Sequence, residues 1–582
     1  MTGAERTSPI LASSLVALLL AAPGATALAQ RGPASVECDG RIVSAIDIRT
    51  HPPRFSDTAT VRGSLMQAER SLHATTRPGV AAAYLRLEVG RGCTERDRSE
   101  SERLLRAQPF LAYAAVRTRP DGPGRVRVEV ETVDEVPVII GGGLRHGTVS
   151  SLTLGTENYS GRGLTVAVSY ENGFAFRDGF GLRAVQYGAF GRPYTLAAHG
   201  AQHPLGDSWS LELAEPFLTD LQYRGFHLGA GGASDHYAVL EPTGERVALN
   251  VGRMTYDFAI FARVNPVGRG GPAGLLGAAF LGENVNVGST TVIVTDTGLL
   301  PAPAGAQLDG RYPASNVTRV AAIAGIRSVR FLTVRGFDAL TAAQDVGVGL
   351  QLDALAGPSV RSNRATNDVF LASGLYWGAG SERSFLQLRA IGEGRSSRDS
   401  PAWSGVVANG RLTWYRTPAP TRTRLVSLEL SAVRHLSFPL QLTFRDGEGG
   451  LPGYGGATFA GGTRAVARLE ERRVFRPFGA AADVAAAAFL DAGQLWAGDV
   501  PYGRGSGLRG ALGVSLLGAY PSGGKRTYRL DVAVPLNPAS GARFEVRISS
   551  SDRTGRLWRE PADVARARAG AVPSNLLTWL PR

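Results

Sequence analysis

The segment Val426-Ser-Leu-Glu-Leu-Ser-Ala432 has an apolar side chain at every second position, with Ser or Glu between them. Successive side chains of a β-strand point to opposite faces, so this pattern predicts a strand with one apolar and one polar face. The same alternation recurs in Trp209–Leu213, Tyr528–Val534 and Phe544–Ile548, with charged residues on the polar face. A soluble sandwich buries its apolar face against a second sheet, whereas a membrane barrel faces it to lipid around a wet lumen. The recurring charges favour the barrel.

The alternation persists from Val138 onward, so we predict that residues 137–550 form the barrel. Turn sequences such as Glu171-Asn-Gly-Phe174 separate the alternating segments. At roughly 25 residues for a strand and its loop, this length predicts about 16 strands, an even number as in bacterial single-chain barrels. The expected fold class is therefore mainly β, an antiparallel transmembrane β-barrel of about 16 strands preceded by one small α+β domain.

The first residues of the chain have the pattern of an export signal. The apolar run Ile10–Ala22 is too short to span a bilayer as a helix, and Ala27-Leu-Ala29 is a small-x-small cleavage pattern. We interpret residues 1–29 as a secretory signal peptide, with an uncleaved anchor as the alternative.

Cys38 and Cys93 are the only cysteines, and in an oxidising compartment we expect a disulfide between them rather than two free thiols.

Residues 38–135 have the pattern of a small α+β domain. Five elements are predicted, in the order strand, helix, helix, strand, strand: Arg41–Ile48, Val80–Leu87, Thr94–Arg106, Ala112–Thr118 and Arg125–Thr132. This order resembles a polypeptide-transport-associated (POTRA) domain, and the alternative is a generic α+β domain. In proteins with such domains the edge of the sheet is presented to unfolded clients, which bind by adding a strand.

Two stretches late in the chain predict a contact inside the barrel. Leu451-Pro-Gly-Tyr454 predicts a tight turn in a long glycine-rich loop, and Phe489-Leu-Asp-Ala-Gly493 predicts a strand with one acid among apolar residues. An inward Asp491 needs a cationic or hydrogen-bonding partner, because an unpaired charge away from water is costly. A loop that folds back onto this strand can supply that partner.

This pairing resembles the bacterial outer-membrane assembly and translocation barrels of the BamA and TamA superfamily, the bacterial surface antigen family. There, a lid loop with a Val/Leu-Arg-Gly-Tyr/Phe motif enters the barrel, and its Arg meets a strand Asp in a Phe-x-Asp-x-Gly motif. The corresponding residues here are Leu451, Pro452, Gly453 and Tyr454 in the loop and Phe489, Asp491 and Gly493 in the strand.

Pro452 stands where the family has Arg, so the partner of Asp491 is open: Arg445, Arg472 or another lumenal strand Arg.

Val334-Arg-Gly-Phe337 matches the loop motif better by letter. However, the chain after Phe337 is long enough for roughly nine strands, which is too many to follow the lid loop. The chain after Tyr454 is long enough for four or five strands, as in the family. We interpret Val334–Phe337 as a chance match between two ordinary strands.

Other segments carry the same resemblance, since Thr156–Gly163 is similar to the family's first barrel hairpin and Arg529–Leu536 to its penultimate strand. The resemblance implies an outer-membrane barrel with its N-terminal domain in the periplasm, which assists insertion or translocation of polypeptides by strand pairing. The implied partners are outer-membrane lipid, unfolded or exported polypeptide clients and other periplasmic assembly factors. The alternative is a passive pore or surface barrel without assembly activity, which the missing loop Arg favours.

Several other functions are not expected from this sequence. The net charge is +13, but the arginines are spread singly, which argues against nucleic-acid binding. The eight histidines are scattered, and the chain has no HExxH, Gly-x-Ser-x-Gly elbow or phosphate loop. We therefore expect no enzymatic activity, no cofactor and no metal site.

The tail, residues 551–582, extends beyond the last predicted strand, which lies near residues 542–549. Membrane barrels usually end on an aromatic residue of their last strand, and this chain does not. The tail is expected either to fold back into the periplasm or to hold the true last strand.

Overall fold

The computed structural model describes residues 36–568 except 39, 54–73, 146–147, 267–270, 304–305, 363–367, 398–399, 446–448, 455–458, 476–481, 538–543 and 552–559. The predicted signal peptide, residues 1–29, and residues 569–582 of the tail lie outside the described residues. Within the described segments, no helix is both long enough and apolar enough to cross a membrane.

The N-terminal domain is a three-stranded sheet with two helices, in the order expected from the sequence. The elements are β1 (Ile42–His51), α1 (Pro78–Ala82), α2 (Glu95–Ala107), β2 (Leu111–Pro120) and β3 (Arg125–Asp134). The spatial order is β1-β3-β2, with β3 parallel to β1 and antiparallel to β2.

The sequence explains why these elements form and pack. Thr94 caps α2, since its hydroxyl accepts a hydrogen bond from the Asp97 N–H at 3.1 Å. Val128 of β3 and Leu105 of α2 are fully buried in the domain core. A disulfide joins Cys38 to Cys93, whose Cα atoms are 5.6 Å apart, and so ties the segment before β1 to the segment before α2.

In the described part of the chain, twenty antiparallel strands close into a barrel. They are β4 (Val138–Arg145), β5 (Thr148–Tyr159), β6 (Leu164–Phe174), β7 (Arg177–Ala189), β8 (Tyr194–His203), β9 (Gly206–Glu215), β10 (Arg224–Leu240), β11 (Arg246–Arg263), β12 (Ala273–Val287), β15 (Ser315–Arg335), β16 (Ala343–Ser362), β17 (Asp368–Ser381), β18 (Ser384–Ser397), β19 (Ser400–Ala419), β20 (Arg422–Arg434), β23 (Thr463–Phe475), β24 (Asp483–Trp496), β25 (Arg509–Ala519), β26 (Thr527–Leu536) and β27 (Glu545–Ser551). Four short strands lie in the connections: β13 (Val292–Val294), β14 (Leu299–Pro301), β21 (Leu442–Thr443) and β22 (Ala460–Gly461). A third helix, α3 (Ala562–Ala567), follows β27.

The expected number of about 16 strands is wrong, and the reason is the length of the connections. Only two residues separate the strands in six of the hairpins, among them β6–β7, β8–β9 and β17–β18. Such tight turns reduce the chain needed for each strand and its connection to about 20 residues rather than 25.

The two faces of the wall differ as the alternation predicts. In β20, Val426, Leu428 and Leu430 point outward and are 38–52% exposed. Ser427 and Glu429 of the same strand point inward and are 3% exposed. The outer surface is therefore apolar, and polar groups face the lumen.

The N-terminal domain covers one end of the barrel, which we call the domain end. Arg106 of α2 makes two hydrogen bonds, each 3.0 Å, to the Asp345 carboxylate of β16. Arg103 donates to the Leu218 carbonyl before β10 at 2.7 Å. Asn158 of β5 donates to the Thr76 hydroxyl at 2.7 Å. These contacts come from different sides of the rim, so the domain lies across the opening; the other end is the distal end.

Candidate functional site

Residues 435–462, which we call the lid loop, connect β20 to β23 at the distal end, and the described part of this loop lies in the lumen. Leu451 and Tyr454 are at most 4% exposed and belong to a buried cluster with Val466 and Leu495 of the wall. The Tyr454 hydroxyl donates to the Gly510 carbonyl at 2.9 Å and also contacts the Leu536 carbonyl. The predicted loop motif therefore lies against β23–β26 inside the barrel.

Two glycines of the predicted motifs make this close approach sterically feasible. Gly453 has φ +80°, and a Cβ there would lie 2.8 Å from Pro535 Cδ. On β24, a Cβ at Gly493 would lie 3.0 Å from Phe444 Cε1 and 3.5 Å from Leu451 Cδ1. The wall strand thus lacks a side chain where the lid loop packs on it.

Asp491 is 2% exposed, and its ion-pair partner is Arg468 of β23, directly opposite on the neighbouring strand. Arg468 Nε lies 3.6 Å from Asp491 Oδ2, and Arg468 Nη2 donates to the Gly450 carbonyl at 2.7 Å. A strand Arg, one of the partners left open by the sequence, therefore joins Asp491 to the lid loop. Arg472 instead pairs with Glu470 at 2.9 Å.

Arg468 is one of three arginines in a row on β23, with Arg464 and Arg472 four residues to either side. Since strand side chains alternate, residues four apart share a face, and all three are at most 8% exposed on the lumenal side. Arg464 binds Asp563 of the tail, Arg468 binds the lid loop, and Arg472 donates to the Phe337 and Asp338 carbonyls. One strand therefore holds three segments inside the barrel.

The segment held by Arg472 is the β15–β16 turn, residues 336–342, at the domain end. Phe337 stacks on Tyr415 with ring centroids 4.8 Å apart, and the Tyr415 hydroxyl donates to Asp338 Oδ1 at 2.9 Å. Arg335 donates to the Thr341 carbonyl within the same turn. The flanks of the Val334–Phe337 sequence are ordinary strands, as expected, but the turn itself folds into the lumen.

The described part of the tail neither folds back below the barrel nor supplies its last strand. β27 is the last strand of the wall and pairs with β4. Residues 560–568 lie in the lumen, where Asp563 and Val564 are fully buried. Both alternatives drawn from the sequence are wrong for these residues, because neither considered a partner inside the barrel.

The opposite side of the lumen is accessible to water. Five inward-facing polar side chains of β6–β9 are exposed: Ser169, Glu171, Arg183, His199 and Ser210. The lumen therefore has a packed side, formed by the lid loop, the 336–342 turn and the tail, and a hydrated side near the first strands of the barrel.

The barrel closes at the β4–β27 seam, which has the shortest pairing between adjacent wall strands among the described residues. Five residue pairs join these strands, from Glu545 with Arg145 to Ser549 with Gly141, compared with eight for β4–β5. Beyond them, the Ile140 N–H donates to the Ser550 hydroxyl at 2.9 Å.

Sequence reasoning missed the row of arginines on β23. The available signal was an Arg at every fourth position of a strand whose faces alternate with period two.

Among the described residues, no group of three or more His, Cys, Asp and Glu is placed to hold a metal ion.

Solved structures to which this chain is similar include outer-membrane barrels. BamA from Haemophilus ducreyi lacking POTRA domains 1–3 is 10% identical over 88% of this chain and 85% of that chain, with a TM-score of 0.37. CdiB from Escherichia coli is 11% identical over 88% and 77%, with a TM-score of 0.45. BauA, the ferric preacinetobactin receptor from Acinetobacter baumannii, is 9% identical over 73% and 81%, with a TM-score of 0.33.

No family model and no curated protein matches the chain. Because the three TM-scores are low, the fold is established from the chain's own strand pairings.

Proposed function

We propose that this chain is an outer-membrane barrel that assists insertion or translocation of polypeptides by strand pairing, without covalent chemistry. The observation that carries the proposal is the short β4–β27 seam. A main-chain hydrogen bond contributes about 0.5–1.5 kcal/mol net, so among the described wall strands this seam of five pairs has the weakest main-chain pairing and should open first. Opening exposes two strand edges, which are templates for an incoming strand.

The outward apolar side chains support an outer-membrane location, since they match the lipid-facing surface of a membrane barrel. We assign the N-terminal domain, residues 38–135, as POTRA-like and periplasmic. Its element order supports this, and β1 is an edge strand of its sheet among the described residues. Such an edge can receive an unfolded client, or another periplasmic assembly factor, by β-augmentation.

A passive pore is the second candidate, and the hydrated side of the lumen along β6–β9 favours it. Against it stand the lid loop, the 336–342 turn and the tail, which occupy the other side, and the N-terminal domain across the domain end. A lumen filled from both ends fits a gated barrel better than a constitutively open one.

A reversible cross-link across the seam tests the proposal. Leu144 and Val546 face each other on β4 and β27, so the Leu144→Cys/Val546→Cys variant should form a disulfide on oxidation. Cells that depend on this variant should accumulate unassembled outer-membrane polypeptides until a reductant is added. The matched control is Ala408→Cys/Ala432→Cys on the facing strands β19 and β20. Normal assembly with a fully oxidised seam would refute the strand-pairing function.

A further inference from the structure

The tail is held in the distal half of the lumen by a buried ion pair. Arg464 Nη1 and Nη2 donate to the two carboxylate oxygens of Asp563 at 2.5 and 3.0 Å, and both side chains are fully buried. A two-pronged contact of this kind selects a carboxylate by geometry as well as by charge. Arg464 also donates to the Thr443 carbonyl at 2.6 Å, which fixes it against the lid loop.

Other wall residues contact the tail through its main chain and its basic end. Arg253 of β11 donates to the Arg566 carbonyl at 2.7 Å and also to the Arg568 carbonyl. Glu393 of β18 pairs with the Arg568 side chain at 3.2 Å. Arg253 is itself oriented by Glu283 at 2.9 Å. Contacts to carbonyl groups do not depend on side-chain identity, so this part of the site can accept different sequences.

The lid loop supplies an apolar wall to the same site. Val564 and Ala567 of α3 are at most 5% exposed and share a buried cluster with Phe438 and Phe444 of the lid loop. Gly449 of the lid loop packs on Pro561, since a Cβ there would lie 2.7 Å from Pro561 Cβ. Lid loop and tail therefore pack as one unit, and a change in one affects the other.

We propose that the distal lumen is a peptide-binding site, which residues 560–568 occupy at rest and from which an incoming polypeptide displaces them. Its ligand is a short peptide with a carboxylate that Arg464 binds, small apolar residues beside that carboxylate and a basic residue after them. A six-residue helix is not stable by itself in water, so the tail is ordered by the site and can leave it. That the displacing peptide is a client segment rests on the proposed function; the binding site itself does not.

Peptide binding to the purified barrel tests the site. The probe is a fluorescein-labelled peptide of residues 560–568, Glu-Pro-Ala-Asp-Val-Ala-Arg-Ala-Arg, added to protein in detergent micelles and followed by anisotropy. A variant that ends at Ser551 should bind it saturably. The full chain should bind at least about tenfold more weakly, because its own tail competes at an effective concentration near millimolar. Equal binding to both proteins would overturn the proposal.

Matched substitutions identify the contacts. Arg464→Ala in the shortened chain should abolish binding, whereas Arg473→Ala, an exposed Arg on the same strand, should leave it unchanged. A peptide with Asn in place of Asp563 should also fail to bind. If the shortened chain does not fold, the full chain with Asp563→Asn replaces it, since its weakened tail should admit the peptide. Binding that survives Arg464→Ala would also refute the site.

The outcomes separate the two proposals. Peptide binding together with normal assembly by the oxidised seam variant would leave the lumenal site standing and refute strand-pairing assembly. Seam-dependent assembly without peptide binding would refute the lumenal site alone.

Discussion

At the residue scale, the cation beside Asp491 comes from the wall rather than from the loop. In the superfamily that the sequence resembles, the loop carries the Arg, whereas here the loop has Pro452 and the wall has Arg468. The result is similar in chemistry, because Arg468 contacts both the Asp491 carboxylate and the Gly450 carbonyl. The difference is that the cation belongs to the wall strand β23 and not to the lid loop.

Removing that cation should destabilise the barrel. Arg468→Ala leaves the buried Asp491 without this ion pair, and breaking such a pair costs about 3 kcal/mol. Adding Pro452→Arg should recover part of the loss, since Leu451 beside it already packs near Gly493, two residues from Asp491. Thermal unfolding, followed by heat-modifiable gel mobility, measures both effects. A wild-type transition for Arg468→Ala would contradict this assignment, and Arg473→Ala serves as the control.

A side chain at Gly493 should displace the lid loop. In Gly493→Ala the new Cβ would lie 2.9 Å from the Ala465 carbonyl oxygen of β23 and 3.0 Å from the Phe444 ring of the lid loop, so β24 and this part of the loop should move apart. Added protease should then cleave the lid loop faster than in the wild type. Gly505→Ala, whose Cβ would have 3.6 Å to its nearest neighbour, should leave the cleavage rate unchanged.

At the element scale, α2 fastens the N-terminal domain to the barrel, and one of its contacts is made by a titratable carboxylate, that of Glu100. Burial raises the pKa of Glu100, but the charge and hydrogen bonds of Arg103, a hydrogen bond from Thr219 and the charge of Arg327 outweigh it and lower the pKa. Thr219 lies between β9 and β10, and its hydroxyl donates to Glu100 Oε2 at 2.5 Å. The ionised carboxylate therefore links the domain to the barrel rim.

Domain docking should weaken in acid because of Glu100. Since its pKa in the folded protein lies below the ordinary 4.5, its contribution is complete above pH 4.5 and is lost as the pH falls through the folded pKa. Protease cleavage between domain and barrel should accelerate in that window. Glu100→Gln should already be cleaved faster at neutral pH and should show a smaller change on acidification. An unchanged pH profile in Glu100→Gln would show that another group is responsible.

At the scale of the whole molecule, the barrel is filled from both ends and hydrated along one side. The N-terminal domain and the 336–342 turn occupy the domain end, and the lid loop and tail occupy the distal half. β23 contacts three of these segments, because its three inward arginines bind the 336–342 turn, the lid loop and the tail. Displacing one of these three segments breaks its contact with one arginine of the row, next to the contacts of the other two. We therefore expect displacement of one segment to weaken the binding of the others.

The filled lumen predicts a low conductance that the tail controls. In planar bilayers, the full chain should show no stable open level, whereas the variant ending at Ser551 should open intermittently, because the distal half has lost one of its fillings. The Arg464→Ala full chain should behave like the shortened chain, and Arg473→Ala like the wild type. A large, stable conductance of the full chain would instead support the passive pore.

The sequence by itself determined the features that depend on neighbours along the chain. A period of two with apolar and charged faces, as in Val426–Ala432, specifies a strand with one apolar and one polar face, whatever its partners are. Helix caps and valine alternation likewise predicted the order of the N-terminal domain, and counting back placed the Leu451–Tyr454 loop late in the barrel, with five wall strands after it. These properties are local, because a strand's faces and a helix's start are set within a few residues.

Only the tertiary structure decided the number of strands, the partner of Asp491 and the place of the tail. Strand number depends on turn lengths, which the alternation does not record. Arg468 meets Asp491 because the register of two strands puts them opposite each other, and Arg464 meets Asp563 from 99 positions away in the chain. Such pairings become visible only after the wall has closed and brought distant charges together on the packed side of the lumen, where exclusion of water makes an unpaired charge costly.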